Sequence, residues 1–91
     1  MVYLNVRHTV ADYEKWRSFF DEDGARRRTA GATGTNQIYR DADDANVVTT
    51  IIEWDNAENA LKFMSDPALR EVMQKAGVVG APAVRTILLP A

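Results

Sequence analysis

The only histidine of the chain, His8, is the first candidate for chemistry. Its unperturbed pKa of about 6.5 lies near neutrality, which suits a general base. Trp54 is the second candidate, because an indole joins a large apolar ring to one hydrogen-bond donor and can form the floor of a pocket for an aromatic molecule. Each also has a structural interpretation, His8 as a hydrogen-bonded residue at a strand end and Trp54 as a filler between sheet and helix. The sequence leaves both interpretations open.

Polar residues on the predicted strands extend this candidate site. An amide on an otherwise apolar strand must find hydrogen-bond partners, and a ligand is one possible partner for Asn5. We group Asn5 and Tyr39 with His8 as residues that could steer proton transfer, while a structural network or a dimer interface would use them equally well. Arg7 and Arg85 are expected at the mouth of the same cavity as substrate-binding residues.

No metal site and no cofactor site is predicted. The acidic run at 41–44 lacks the glycine and the distal glutamate of a calcium loop, so it is interpreted as a solvated hairpin turn. The chain has no cysteine, no nucleophile with serine, histidine and aspartate spacing, and no phosphate-binding glycine motif. The three arginines at 26–28 could attract an acidic substrate, but they directly follow the acidic residues 21–23, which favours a locally neutral exposed surface.

The elements that must position these residues follow from hydrophobic periodicity. A first strand over 2–8 leads to a helix capped by Asp12, which weakens at 21–24 and continues after a kink. Asp55 is the expected cap of a second helix, and Asp66 followed by Pro67 begins a further helical segment that closes at Gly77. The remaining strands are expected at 35–40, 47–54 and 83–89.

The strand at 47–52 consists of doublets, Val-Val-Thr-Thr-Ile-Ile, so both of its faces are apolar. An antiparallel strand with one face in water usually alternates apolar and polar residues, so this strand needs a cover on each face. The predicted helices supply one cover only. A second copy of the chain is the simplest source of the other cover, which predicts a homodimer that packs through the sheet face.

The element order is βαββαβ, which predicts a ferredoxin-like α+β fold in a single domain over 1–91. Its four-stranded antiparallel sheet has the helices on one face. We also expect the first and third strands to be parallel neighbours, which would bring His8 and Trp54 to one end of the sheet. The turn at 31–34 and a glycine-rich loop at 77–82 are expected at that end too, where they would form a cavity mouth.

Composition excludes several partner classes. A formal charge of −2 and an isoelectric point near 5.3 give no field that would attract nucleic acid or anionic lipid. No apolar run approaches the roughly 20 residues of a membrane span. The start of the chain lacks the features of an export signal, so the cytoplasm is the expected compartment.

Segments spread over most of the chain resemble the dimeric α+β barrel superfamily, in particular the antibiotic biosynthesis monooxygenase-like group, some of whose members are labelled cyclases. The resemblance lies in residues 12–16, 39–44, 52–55, 67–71 and 76–80. It implies a cofactor-independent oxygenase or cyclase that acts on an aromatic or polyketide-like molecule, with Trp54 in the pocket. Thr50, a pocket residue by the same comparison, stands where the oxygenase branch has an asparagine.

A second functional hypothesis stays open at this point: a non-catalytic dimeric protein that binds a small apolar metabolite. An RNA-recognition domain shares the predicted topology, but the basic and aromatic signature of its strands is missing.

Overall fold

The computed structural model describes all 91 residues, which form four strands and four helices. In chain order these are β1 (Val2–Val10), α1 (Tyr13–Glu22), α2 (Gly24–Ala30), β2 (Ala32–Arg40), β3 (Val47–Trp54), α3 (Ala57–Met64), α4 (Pro67–Lys75) and β4 (Val78–Leu88). The strands make one antiparallel sheet in the order β2-β3-β1-β4. The predicted ferredoxin-like α+β fold is therefore confirmed. None of the helices is long and apolar enough to cross a membrane.

The helices begin at side-chain caps that the sequence largely predicts. The carboxylate of Asp12 accepts from two backbone amides of the first turn of α1, and Asp66 accepts from the amide of Ala68 at 2.9 Å. The predicted cap at Asp55 is wrong by one residue, since Asn56 accepts from the amide of Asn59 at 2.8 Å. Asp55 instead accepts from the side-chain amide of Asn59, and Asn56 is the N-cap residue.

The predicted parallel pairing of the first and third strands is wrong. β1 and β3 are antiparallel, with Val2 opposite Trp54 and His8 opposite Val48. The hairpin explains the direction: β1 and β2 run the same way after the helical crossover, and β3 turns back between them. His8 and Trp54 therefore lie toward opposite ends of the sheet, six residues apart in register.

The predicted meeting of two glycine-rich segments with these residues is wrong for the same reason. The supposed loop at 77–82 lies mostly in β4, whose first residue, Val78, pairs with Val10 near the His8 end. β2 begins at Ala32, earlier than expected, and Ala32 pairs with Trp54. The segment at 77–82 therefore lies at the His8 end of the sheet, and the segment at 31–34 lies at the Trp54 end.

The core lies between the helices and one face of the sheet, which we call the helix side. Along β3 every second residue is buried, and Val48 and Trp54 are fully so. The core residues form two clusters: Leu4, Val6, Ile52, Trp54, Ala60, Phe63 and Leu69 near one end, and Val10, Trp16, Val48 and Ala76 near the other.

The other sheet face, which we call the open face, has no helix upon it. Register places these residues there: Tyr3, Asn5, Arg7, Gln37, Tyr39, Val47, Thr49, Ile51, Glu53, Val84 and Thr86. The second member of each β3 doublet is buried on the helix side, and the first is half-buried on the open face. The single chain thus covers only one side of the doublet strand.

Candidate functional site

A cavity opens between the helix side of the sheet and the helices. Its volume is about 70 Å³, which is smaller than the roughly 300–1,000 Å³ of most small-molecule pockets. Of its 17 lining residues, 13 are hydrophobic. The few polar groups in such a wall determine which molecule binds and how it is oriented.

Three buried nitrogen atoms in this cavity have no hydrogen-bond partner in the protein. They are Nδ1 and Nε2 of His8 and Nε1 of Trp54. A buried polar atom without a partner costs about 1–3 kcal/mol, so native folds usually pair such atoms. Ordered water or a bound molecule would supply the missing partners of these three atoms.

His8 lies on β1 with its ring edge-on to the ring of Trp16, at 5.5 Å between centroids and an interplanar angle of 74°. Its side chain is buried, and burial disfavours the imidazolium, so the pKa of His8 is lowered from 6.5. The imidazole is therefore neutral at pH 7. A neutral imidazole has one nitrogen that donates a hydrogen and one that accepts a proton, as a general base requires.

The lowered pKa of His8 predicts a pH-dependent stability. In the unfolded chain His8 takes up a proton below about pH 6.5, whereas the folded chain resists it, so the unfolded state binds more protons there. The contribution of His8 to the free energy of unfolding is fully present above the pKa of His8 in the unfolded state. It is lost as the pH falls through the pKa of His8 in the folded state. The free energy of unfolding, measured with urea, should fall more between pH 8 and pH 5 for the native chain than for His8→Phe. An equal loss in both would contradict the burial of a neutral His8.

Trp54 and Thr50 form part of the cavity floor on β3. The ring of Trp54 packs against that of Phe63 from α3, with 5.2 Å between their centroids. Thr50 is 3 % exposed and lies on the same face of β3 as Trp54, two strand repeats before it. Since residue Val6, opposite Thr50, precedes His8 by two positions, Thr50 lies between the His8 and Trp54 ends of the floor.

The sheet separates three of the other four predicted site residues from this cavity. Asn5, Tyr39 and Arg7 lie on the open face, where Arg7 forms an ion pair with Asp41. Arg85 pairs with Val6 and so lies on the helix side, but it is exposed on the edge strand β4 and does not line the cavity. The structure therefore brings His8, Thr50 and Trp54 to one cavity and leaves the other four predicted residues outside it.

Sequence reasoning missed a charged group in this cavity. The prediction that all three arginines at 26–28 form an exposed surface is wrong for Arg27, whose side chain is 6 % exposed and lines the cavity. Arg26 pairs with Asp23, and Arg28 is exposed. The missed signal was spacing, because Arg27 in α2 follows Phe20 in α1 by seven positions, which is about two helical turns. Asp23 between the helices keeps helical backbone angles, so the two residues lie on the same side.

Aromatic rings on α1 complete the wall opposite the sheet. Trp16 and Phe20 lie one helical turn apart and pack together with 5.1 Å between their centroids. Trp16 is buried in the core, and it also lines the cavity. Core packing and ligand contact are thus combined in one side chain.

Solved structures of other proteins share this fold, whereas no protein-family model and no curated protein matches the chain. A Bordetella bronchiseptica protein assigned as an antibiotic biosynthesis monooxygenase matches with a TM-score of 0.78 and 10 % identity, over 99 % of this chain and 96 % of that one. SnoaB, a cofactor-independent oxygenase from Streptomyces nogalater, matches with a TM-score of 0.75 and 16 % identity, over 99 % and 92 % of the two chains. A Deinococcus radiodurans protein, also assigned as an antibiotic biosynthesis monooxygenase, matches with a TM-score of 0.69 and 12 % identity, over 100 % and 93 %.

These matches confirm the resemblance at the level of fold. The chain has the fold of antibiotic biosynthesis monooxygenase-like proteins over nearly its whole length. At such identities the comparison describes the architecture, and activity has to be argued from the cavity.

Proposed function

We propose that the protein is a cofactor-independent monooxygenase whose substrate is an electron-rich aromatic molecule bound in the helix-side cavity. The observation that carries this proposal is the set of unpartnered buried nitrogens of His8 and Trp54 in an otherwise apolar wall. Likeness in fold to a cofactor-independent oxygenase supports it.

The spacing of the two residues favours an elongated substrate. His8 and Trp54 lie six residues apart in register, which is roughly 20 Å along the strands between their backbones. Side chains shorten this span, but a single ring would still contact one end only. A fused-ring, polyketide-like molecule matches a floor of this length, and the helices would have to move away from the sheet to admit it, because the cavity volume is only about 70 Å³. Its polar substituents would meet the indole N–H of Trp54.

His8 is the group in this cavity that suits proton abstraction. As a neutral base it would take a proton from an acidic ring CH₂ or phenol of the substrate, which leaves an electron-rich carbanion or phenolate. That carbon transfers electrons to dioxygen and forms a carbon–oxygen bond, giving a hydroperoxide that takes the proton back from His8. Loss of water then leaves a carbonyl group, so the balance is CH₂ + O₂ → C=O + H₂O.

Oxygen consumption with anthrone tests this proposal, since anthrone has an acidic CH₂ between two aromatic rings. We expect the protein to consume one O₂ for each anthraquinone formed, well above the rate in buffer. A rate equal to that in buffer for anthrone and for hydroxylated anthrones would reject the proposal.

A non-catalytic ligand-binding protein is the second candidate, and one observation favours it. Catalytic histidines are usually oriented by a carboxylate or carbonyl on the second ring nitrogen, whereas neither nitrogen of His8 has a protein partner. This candidate predicts that aromatic molecules bind in the cavity and are released unchanged.

A second copy of the chain is the proposed cover of the open face. The centre of that face contains Ile51 and Thr49, both half-buried, and the side-chain oxygen of Asn5, which is buried without a partner. A two-fold axis there would cover the free side of the doublet strand and bring polar groups of the partner toward Asn5.

Ile51→Glu is expected to convert this dimer into a monomer. Two glutamates near a two-fold axis would repel each other and lose hydration, whereas the helix-side core stays intact. Light scattering should give twice the chain mass of 10.2 kDa for the native protein and 10.2 kDa for the variant. Leu61→Glu, on the exposed surface of α3, should remain dimeric. A native protein that is monomeric at micromolar concentration would contradict the proposal.

A further inference from the structure

Arg27 is a buried cation without a carboxylate partner. It lies on α2, its side chain is 6 % exposed, and its Nη1 donates to the backbone oxygen of Phe20 at 2.9 Å. Its guanidinium also lies over the ring of Phe20, with 3.8 Å from Cζ to the centroid. A guanidinium has five N–H donors, so most of its hydrogen-bonding capacity remains available.

The nearby carboxylates are engaged with other arginines. Arg26 binds both oxygens of Asp23, at 2.8 and 3.0 Å, and Arg17 binds Asp21 at 3.0 Å. Asp23 and Asp21 favour the charged form of Arg27 from a distance, while burial and Arg26 oppose it, and the pKa of Arg27 is lowered on balance. Even so, an arginine stays protonated at neutral pH. A desolvated positive charge of this kind is stabilised by an anion that binds beside it.

Arg27 lies where two cavities adjoin. One is the apolar cavity of His8 and Trp54, and the other is a polar pocket of about 220 Å³ that Asp21, Arg28 and Asn36 also line. Ala32, in the polar pocket, pairs with Trp54, so Arg27 belongs to the Trp54 end of the apolar floor. An aromatic ring on that floor could therefore place a charged substituent at the guanidinium.

We infer that Arg27 is a specificity-determining residue of the cavity and binds an anionic substituent, a carboxylate or an ionised hydroxyl, of the aromatic ligand. The inference takes the location of the ligand from the proposed function, on which it rests, and it adds the chemical class of that ligand. With the anion fixed beside Trp54, an elongated ligand extends along the floor toward His8, so the ionic contact also sets its direction. A guanidinium suits this role because its planar fork matches a carboxylate.

Binding of 2-naphthoate and its neutral isostere 2-naphthamide, measured by isothermal titration calorimetry, tests the inference. We expect the native protein to bind naphthoate at least tenfold more tightly, as a charge-assisted hydrogen bond implies. Arg27→Met, which keeps an unbranched apolar stem against Phe20, should bind both molecules equally. Arg27→Lys should keep part of the preference. Arg70→Met removes the same charge from an exposed position on α4 that lines neither cavity, and it should keep all of the preference.

Three results would overturn the inference: equal affinity of the native protein for both molecules, no binding of either, or an unchanged preference in Arg27→Met. If Arg27→Met does not fold, Arg27→Gln carries the same expectation. The oxygenase proposal fails separately, because a naphthoate preference that depends on Arg27, together with no oxygen consumption, would reject the oxygenase and retain the anion site.

Discussion

Replacement of His8 by phenylalanine is expected to lower the rate of oxygen consumption by about 10²-fold to 10⁴-fold, the usual contribution of a positioned general base. The same substitution should leave the free energy of unfolding unchanged or raise it by about 1 kcal/mol. The reason is that phenylalanine keeps a ring against Trp16 and removes two buried nitrogens that have no protein partner. Lost activity with retained stability is the pattern of a site residue, since a purely structural histidine would show the reverse.

Steady-state oxygen-electrode rates and urea unfolding of the same preparations measure both effects. Tyr39→Phe is the matched control, because Tyr39 lies exposed on the open face and the sheet separates it from the cavity. It should retain the native rate. If His8→Phe consumes oxygen as fast as the native protein, His8 is not the base.

Replacement of Trp54 by alanine is expected to reduce the free energy of unfolding by about 3–5 kcal/mol. Trp54 is fully buried, it packs on Phe63, and it forms the floor shared by the core and the cavity. The free energy of unfolding of a domain of this size is about 5–15 kcal/mol in total, so the loss is a large part of it. Urea unfolding followed by far-ultraviolet circular dichroism measures this change, because that signal does not depend on the tryptophan itself.

Two further variants show whether the loss comes from packing. Trp54→Phe keeps an aromatic ring beside Phe63 and removes only part of the volume and the indole N–H, so it should lose much less stability than Trp54→Ala. Leu61→Ala, at a position that is 54 % exposed, should change stability by less than about 0.5 kcal/mol. A loss below 1 kcal/mol in Trp54→Ala would contradict its place in the core.

The fold was predictable from the sequence because local signals and topology rules agree. The caps at Asp12 and Asp66 and the apolar periods determine the elements, and handedness leaves few ways to connect them. The direction of β3 also followed from these rules, and the wrong parallel assignment arose from neglecting the reversal in the β2–β3 hairpin.

The site was predictable only in part, since which face a strand residue occupies depends on what packs against that strand. His8, Thr50 and Trp54 share the helix side, but Asn5 and Arg7 alternate with His8 along β1 and so face away. Arg27 was not recognised as a cavity residue, because a run of three arginines is typical of a solvated surface. Only the continuation of the apolar stripe of α1 past the break at Asp23 identifies the arginine that faces the cavity.

The central claim is that an aromatic molecule binds on the helix side of the sheet, and nuclear magnetic resonance tests it most directly. Titration of ¹⁵N-labelled protein with 2-naphthol should shift the indole N–H signal of Trp54 and the amides of the cavity wall, while Asn5 and Tyr39 on the open face keep their positions. Shifts confined to the open face, or none at saturating 2-naphthol, would contradict the account.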